Sequence, residues 1–160
     1  MNSSVVSELR DSTSAARNSK ILIVYTAAIF VSALLLFSVQ PLFTKMVLPR
    51  LGGSPAVWSV AMVFFQSLLL AGYAYAHYLM TVKSRVVPVA VHLVLLVVAA
   101  LTLPLSIAGN WGDPPVSGTP FWLLGLFAVS IGLPFFALAA NNPMLQAWFC
   151  LLYTSDAADE

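Results

Sequence analysis

Charge is what this 160-residue chain has least of. Charged side chains make up 8% of it, against roughly 25% in a soluble domain. None falls within 21–43, 56–79, 86–105 or 121–140. Acids are scarcest: before residue 150 only Glu8, Asp11 and Asp113 occur, all in the N-terminal tail or a loop. That leaves no acid–base pair and no Ser/His/Asp set, so no catalytic residue is assigned and the segment is expected not to be an enzyme. One cysteine, Cys150, excludes an internal disulfide and says nothing of redox compartment. The two histidines, His77 and His92, stand on different apolar runs without a nearby cysteine or acid, so no metal and no cofactor is expected. The Gly-Lys-Ser/Thr ending of a phosphate-binding loop is missing. Basic residues are too sparse for nucleic acid.

Apolar residues fill the space that charge leaves. They form 60% of the chain, and the mean hydropathy is +0.92. The four charge-free runs each reach the ~20 residues that a helix rising 1.5 Å per residue needs to cross ~30 Å of hydrocarbon. At about −0.3 to −0.6 kcal/mol per central Leu, Ile, Phe or Val, each run inserts favourably by a few kcal/mol, where one Lys or Asp would cost about +2.5 to +3.5. The expected fold is therefore all-α and polytopic, with four transmembrane helices over 21–43, 56–79, 86–105 and 121–140. Residues 1–20 form a polar tail, and 21–149 the membrane region. The tail is Ser-rich and the run after Lys20 is too long for a signal peptide's apolar core, so a retained first span is expected rather than a cleaved leader.

Basic residues orient the spans. Arg10, Arg17, Lys20, Lys83 and Arg85 lie on one predicted side, and Lys45 and Arg50 on the other. The positive-inside rule then puts both termini in the cytoplasm, although Lys45 and Arg50 pull the other way. Trp58, Trp111 and Trp122 fall at the expected outer interface, and Tyr73, Tyr75, Tyr78 and Trp148 toward the inner one. Ser54-Pro55 and Thr119-Pro120 each offer a hydroxyl cap before a proline at the first helical position. Pro41 and Pro134 fall late in their runs and are expected to kink them. Gly125, Ala128 and Gly132 are spaced to let another helix approach closely.

Two stretches carry resemblances. Gln40-Pro41-Leu42, Lys45, Leu48-Pro49-Arg50 and Gly52-Gly53-Ser54-Pro55-Ala56-Val57-Trp58 lead into a second run that ends Ala71-Gly72-Tyr73-Ala74-Tyr75-Ala76-His77. With Pro143-Met144-Leu145-Gln146-Ala147-Trp148-Phe149, this pattern resembles the membrane-embedded N-terminal region of bacterial fused spermidine-synthase-like proteins. In that family a cytoplasmic domain of the aminopropyltransferase type follows the spans. The resemblance, over about 33–149, implies an anchoring role and a downstream domain that this chain does not contain. No family catalytic residue is carried over, because the Gly-rich loop and aspartates of aminopropyl transfer have no counterpart here. The last eleven residues, 150–160, resemble an in-frame translation of a sequencing adapter, which implies that they are not native and that the natural chain runs on past Phe149. The alternative is an ordinary acidic tail.

Two sets of residues have binding chemistry. Lys45, Arg50, Gly52, Gly53 and Ser54 suit an anion or lipid headgroup, since glycine N–H groups, a helix start and two cations converge on one turn. The plainer expectation is a tight turn with two snorkelling cations. Gln40, Gln66 and His92 are polar groups within or at the edge of apolar runs, where a partner must be found. Interhelical hydrogen bonding is sufficient reason for them. The expected partners are the lipid bilayer and, among proteins, further spans or a second copy through helix–helix association. The sequence thus implies an N-terminal membrane-anchoring piece of a spermidine-synthase-like protein. A small-solute or lipid transporter module is the alternative, suggested by Pro41, Pro134, Gln66 and His92.

Overall fold

A computed structural model describes residues 3–51, 54–84, 86–107, 111–115 and 117–158, with side chains described for 19–50 and for those between 54 and 151. Every regular element among the described residues is helical: α1 (Ser3–Val47), a short 3-10 turn (Leu48–Leu51), α2 (Pro55–Met80), α3 (Val86–Leu101), α4 (Thr119–Phe127) and α5 (Leu133–Ala158). A π-helical turn, Ala128–Gly132, joins α4 to α5, so the two make one rod. Three helical stretches are long and apolar enough to cross a membrane: Ser19–Arg50, Pro55–Met80 and Thr119–Leu151. The third apolar run forms a shorter helix of 16 residues, Val86–Leu101, about 24 Å long at 1.5 Å per residue.

That helix stops short of Leu105 for a local reason. Pro104 has no N–H to donate and disfavours helical geometry at Leu103. The hydroxyl of Thr102 donates to the carbonyl of Ala99 at 2.6 Å and closes the last turn. Thr81 closes α2 in the same way, on Tyr78 at 2.6 Å. The fourth run errs in the other direction: the helix continues through Asn141, Asn142 and Pro143 rather than ending at Ala140. The wide π turn ends at Gly132, two residues before Pro134, which has no N–H to give a helical bond and whose ring crowds the preceding turn.

The two expected caps behave differently. Ser54 caps α2, its hydroxyl accepting from the Ala56 N–H at 3.3 Å with Pro55 at the first position. Thr119 is not the cap of α4: Gly118 holds that place at φ +77°, and the Thr119 hydroxyl donates to the carbonyl of Pro115 at 3.0 Å.

The rod of α4 and α5 is the centre of the bundle. α1, α2 and α3 each pack against it. Its apolar window is half buried, against 11% for that of α1. An aromatic cluster fills the region where α1, α2 and the rod meet. Phe127 is fully buried and lies 5.6, 5.4 and 5.8 Å between ring centroids from Phe43, Phe64 and Phe65. Phe135 stands 4.8 Å from Phe65. α2 and α5 approach closely at Gly72, where a Cβ would lie 2.9 Å from the Ala139 Cβ and 3.0 Å from the Ala140 N. The sequence spacing pointed instead to Gly125, Ala128 and Gly132. Ala128 is exposed, and Gly125 makes room for the ring of Trp111 from the loop before α4, not for a helix. Trp111 is pinned there by donating Nε1–H to the Trp122 carbonyl at 3.1 Å.

Apolar side chains cover the outside of the bundle as well as its core. On α3 the buried residues are Pro88, His92 and Ala99, while Leu93 and Val94 are each 60% exposed. Phe30, Phe37, Met62, Leu70, Phe121 and Val129 also face outward. Ser32, Thr44 and His92 are buried. An apolar exterior around a few enclosed polar groups suits lipid as the surrounding solvent.

Candidate functional site

The enclosed polar groups form a chain that crosses three helices. Ser32 lies on the inner face of α1, His92 on that of α3, and Asn141 on α5 between them. The Asn141 amide donates Nδ2–H to the Ser32 hydroxyl at 3.0 Å, and its Oδ1 lies 3.4 Å from His92 Nε2, a long contact. With Asn141 oriented so, its oxygen accepts and His92 Nε2 donates, which leaves the neutral ring's Nδ1 as a bare acceptor. His92 is 1% exposed.

Aromatic rings surround the histidine. Tyr75 of α2 lies 6.2 Å away between ring centroids, and Trp148 of α5 meets it edge-on at 6.1 Å. Tyr75 also packs on Phe136 at 5.4 Å. Three buried polar atoms find no partner among the described residues: His92 Nδ1, the Tyr75 hydroxyl and Asn142 Oδ1. Unmet polar atoms in a dry interior each cost about 1–3 kcal/mol, and two of them, on Tyr75 and His92, lie where α2 and α3 meet Trp148 of α5. Ala76, Leu79 and Met144 form the small apolar cluster there, with Tyr75, Met80 and Trp148 packed around it.

A groove of about 430 Å³ opens beside this region, lined by residues that include Tyr25, Met80, Pro88, Val89 and Trp148. Pro88 and His92 stand four residues apart on the buried face of α3. Trp148 is both a wall of the groove and the edge-on neighbour of His92. Ser84 adds a hydroxyl to its lining, while His92 and Tyr75 are not among its walls; no group of three or more His, Cys, Asp or Glu able to hold a metal occurs among the described residues.

Of the residues singled out in the sequence, His92 belongs to this chain. Gln40 and Gln66 meet elsewhere: with Pro41, Thr44 and Trp58 they line a cleft of about 230 Å³ between α1 and α2. The Gln40 carbonyl accepts from the Thr44 hydroxyl at 2.7 Å. Gln66 lies on the exposed side of α2 rather than in the interior. Lys45 is exposed on α1, Arg50 lines a groove that also holds Asp113, and the Ser54 hydroxyl serves its own helix. Gly52, Gly53 and Arg85 lie outside the described residues.

Sequence reading passed over Ser32, Asn141 and Asn142, and gave Tyr75 only an interfacial anchoring place. A serine or tyrosine in an apolar run is unremarkable. The Asn-Asn pair did hold a signal, since two carboxamides inside a continuing helix need partners. Compared with models of protein families, with curated proteins and with solved structures, the chain matches none.

Proposed function

We propose that this chain is the membrane-anchoring N-terminal part of a spermidine-synthase-like integral protein of the bacterial inner membrane. It crosses the bilayer four times with both termini in the cytoplasm. In this arrangement α3 completes the third crossing with the help of the chain after Leu101, since extended residues advance about 3.3 Å each against 1.5 Å in a helix. The supporting observation is the apolar exterior of the bundle, most plainly on α3, where valines and leucines face out and His92 faces in. The motif from Gln40 to Trp58 supplies the family resemblance. The rod of α4 and α5 runs from the Trp111–Trp122 end past the polar chain, and a domain joined after Phe149 would emerge on the cytoplasmic side.

A green fluorescent protein fused after Phe149 tests the orientation, because it fluoresces only when folded in the cytoplasm. Membrane-bound fluorescence is expected. Activity of an alkaline phosphatase fused at the same point, which requires export, would reverse the topology.

A solute-transport module is the second proposal, favoured by the unmet interior polar atoms and the π turn in the central rod. Reconstituted vesicles that take up a neutral solute only when the protein is present would favour it over a purely anchoring role.

A further inference from the structure

We propose that the outward face of α2 pairs with the same face of a second copy of this chain, Gln66 to Gln66, across a two-fold axis along the membrane normal. The pairing rests on α2 crossing the bilayer and on no other part of the anchoring reading. Ser59, Val63, Gln66, Leu70, Tyr73 and His77 are all exposed. Their numbers advance by four and three in turn, the 3.5-residue spacing that holds one stripe against a partner helix in a left-handed pair. None of the six is among the residues that α2 buries, such as Phe65 and Gly72 against the rod.

Gln66 marks this face for protein rather than lipid. It stands near the middle of α2, where a carboxamide facing hydrocarbon has no partner for its N–H groups or its oxygen. Gln40 lines the same cleft, yet the Gln66 side chain forms no hydrogen bond with a described residue. The face of α3 shows what lipid selects in this chain: every exposed residue over Val86–Leu101 is Val, Leu or Ala.

A second copy is the partner that the chemistry of the stripe fits. Copies enter one membrane in the same orientation, so a parallel pair brings each stripe residue opposite its own counterpart at the same depth. Serine, glutamine, tyrosine and neutral histidine each carry a donor and an acceptor, so each can bond to its like. Two facing carboxamides exchange N–H···O bonds in both directions. α2 holds no Lys, Arg, Asp or Glu, so no like charges meet across the axis.

The test uses the full chain in a Cys150→Ser background, in phosphatidylcholine vesicles. Single cysteines are placed on the stripe as Val63→Cys and Leu70→Cys, and on the outward faces of α1 and α3 as Phe37→Cys and Leu93→Cys, sites that are 68% and 60% exposed. Oxidation with copper phenanthroline should link copies through the two α2 positions and not through the two controls. Energy transfer between separately labelled copies then measures the dimer. Gln66→Leu points into lipid and should leave the fold intact, as circular dichroism would check. It should weaken the dimer about tenfold, and Gln66→Asn, which keeps the carboxamide, by less. Protein that alkaline carbonate strips from the vesicles would end the crossing of α2 and this pairing together. Three results in protein that stays embedded would overturn the pairing alone and leave the face to a further span. These are no link at either α2 position, equal links at the controls, and a dimer that Gln66→Leu does not weaken.

Discussion

Substituting Gly72 sets two effects of opposite sign against each other. In a helix interior Gly→Ala gains about 0.8–1.0 kcal/mol from backbone propensity. Against that stands the crossing with α5. A Cβ at position 72 would sit 2.9 Å from the Ala139 Cβ and 3.0 Å from the Ala140 N. Carbon atoms pack at about 3.5–4.0 Å, so the helices must separate by roughly 0.6–1.1 Å. Neither obstacle can rotate away, since one is a Cβ and the other is backbone. Overpacking of this kind costs about 1–3 kcal/mol, and separation loosens the nearby Phe65–Phe135 contact, now 4.8 Å between centroids. Lipid gives no offsetting hydrophobic gain, because tails are as apolar as the added methyl. The net expectation for Gly72→Ala is destabilisation by about 1 kcal/mol, rising to about 3 or more for Gly72→Leu. Unfolding in mixed micelles titrated with dodecyl sulfate, followed by loss of helical circular dichroism, measures both. If Gly72→Ala stabilises the protein and Gly72→Leu is neutral, the α2–α5 crossing does not lie at this glycine.

Phe127→Ala removes the ring that Phe43, Phe64 and Phe65 surround and should cost about 3–5 kcal/mol in the same titration. A double-mutant cycle of Ser32→Ala and Asn141→Ala should return a coupling of about 0.6 kcal/mol, the usual worth of an interhelical hydrogen bond in lipid. Zero coupling would mean that the 3.0 Å contact is not made in the bilayer. Gly125→Ala would put a Cβ 2.6 Å from Trp111 Cζ2, so the indole should leave its seat, lose its bond to the Trp122 carbonyl and become more accessible to iodide quenching. Unaltered quenching would contradict that seat.

Helices were legible because apolar runs without charge have one stable form in lipid, with their backbone groups paired internally. Ends were less so. Pro104 stopped α3 early, and Asn141-Asn142 did not stop α5, where the Asn141 carboxamide meets Ser32 and His92 inside the bundle and is not exposed to hydrocarbon. Pairing of faces was not legible at all. Glycine spacing in the fourth run pointed to a helix contact, but Gly125 receives a loop tryptophan, and the close crossing uses Gly72, which stands among tyrosines and alanines. One-dimensional spacing reports which residues share a face, not which neighbour that face meets. The same limit hid the polar chain: His92 was conspicuous in its run, while Ser32, Tyr75 and Asn141 acquire meaning only when α1, α2 and α5 close around it.

The α3 crossing is the step on which the four-span arrangement depends, because its helix is the shortest of the apolar set. Single cysteines at Ser84 and Ser117, both exposed at opposite ends of that segment, can be placed in a Cys150→Ser background and treated with a membrane-impermeant maleimide. In intact cells with a permeabilised outer membrane, Ser117→Cys should be labelled at once, and Ser84→Cys only after the inner membrane is opened. Labelling of both from the same side would show that α3 does not cross.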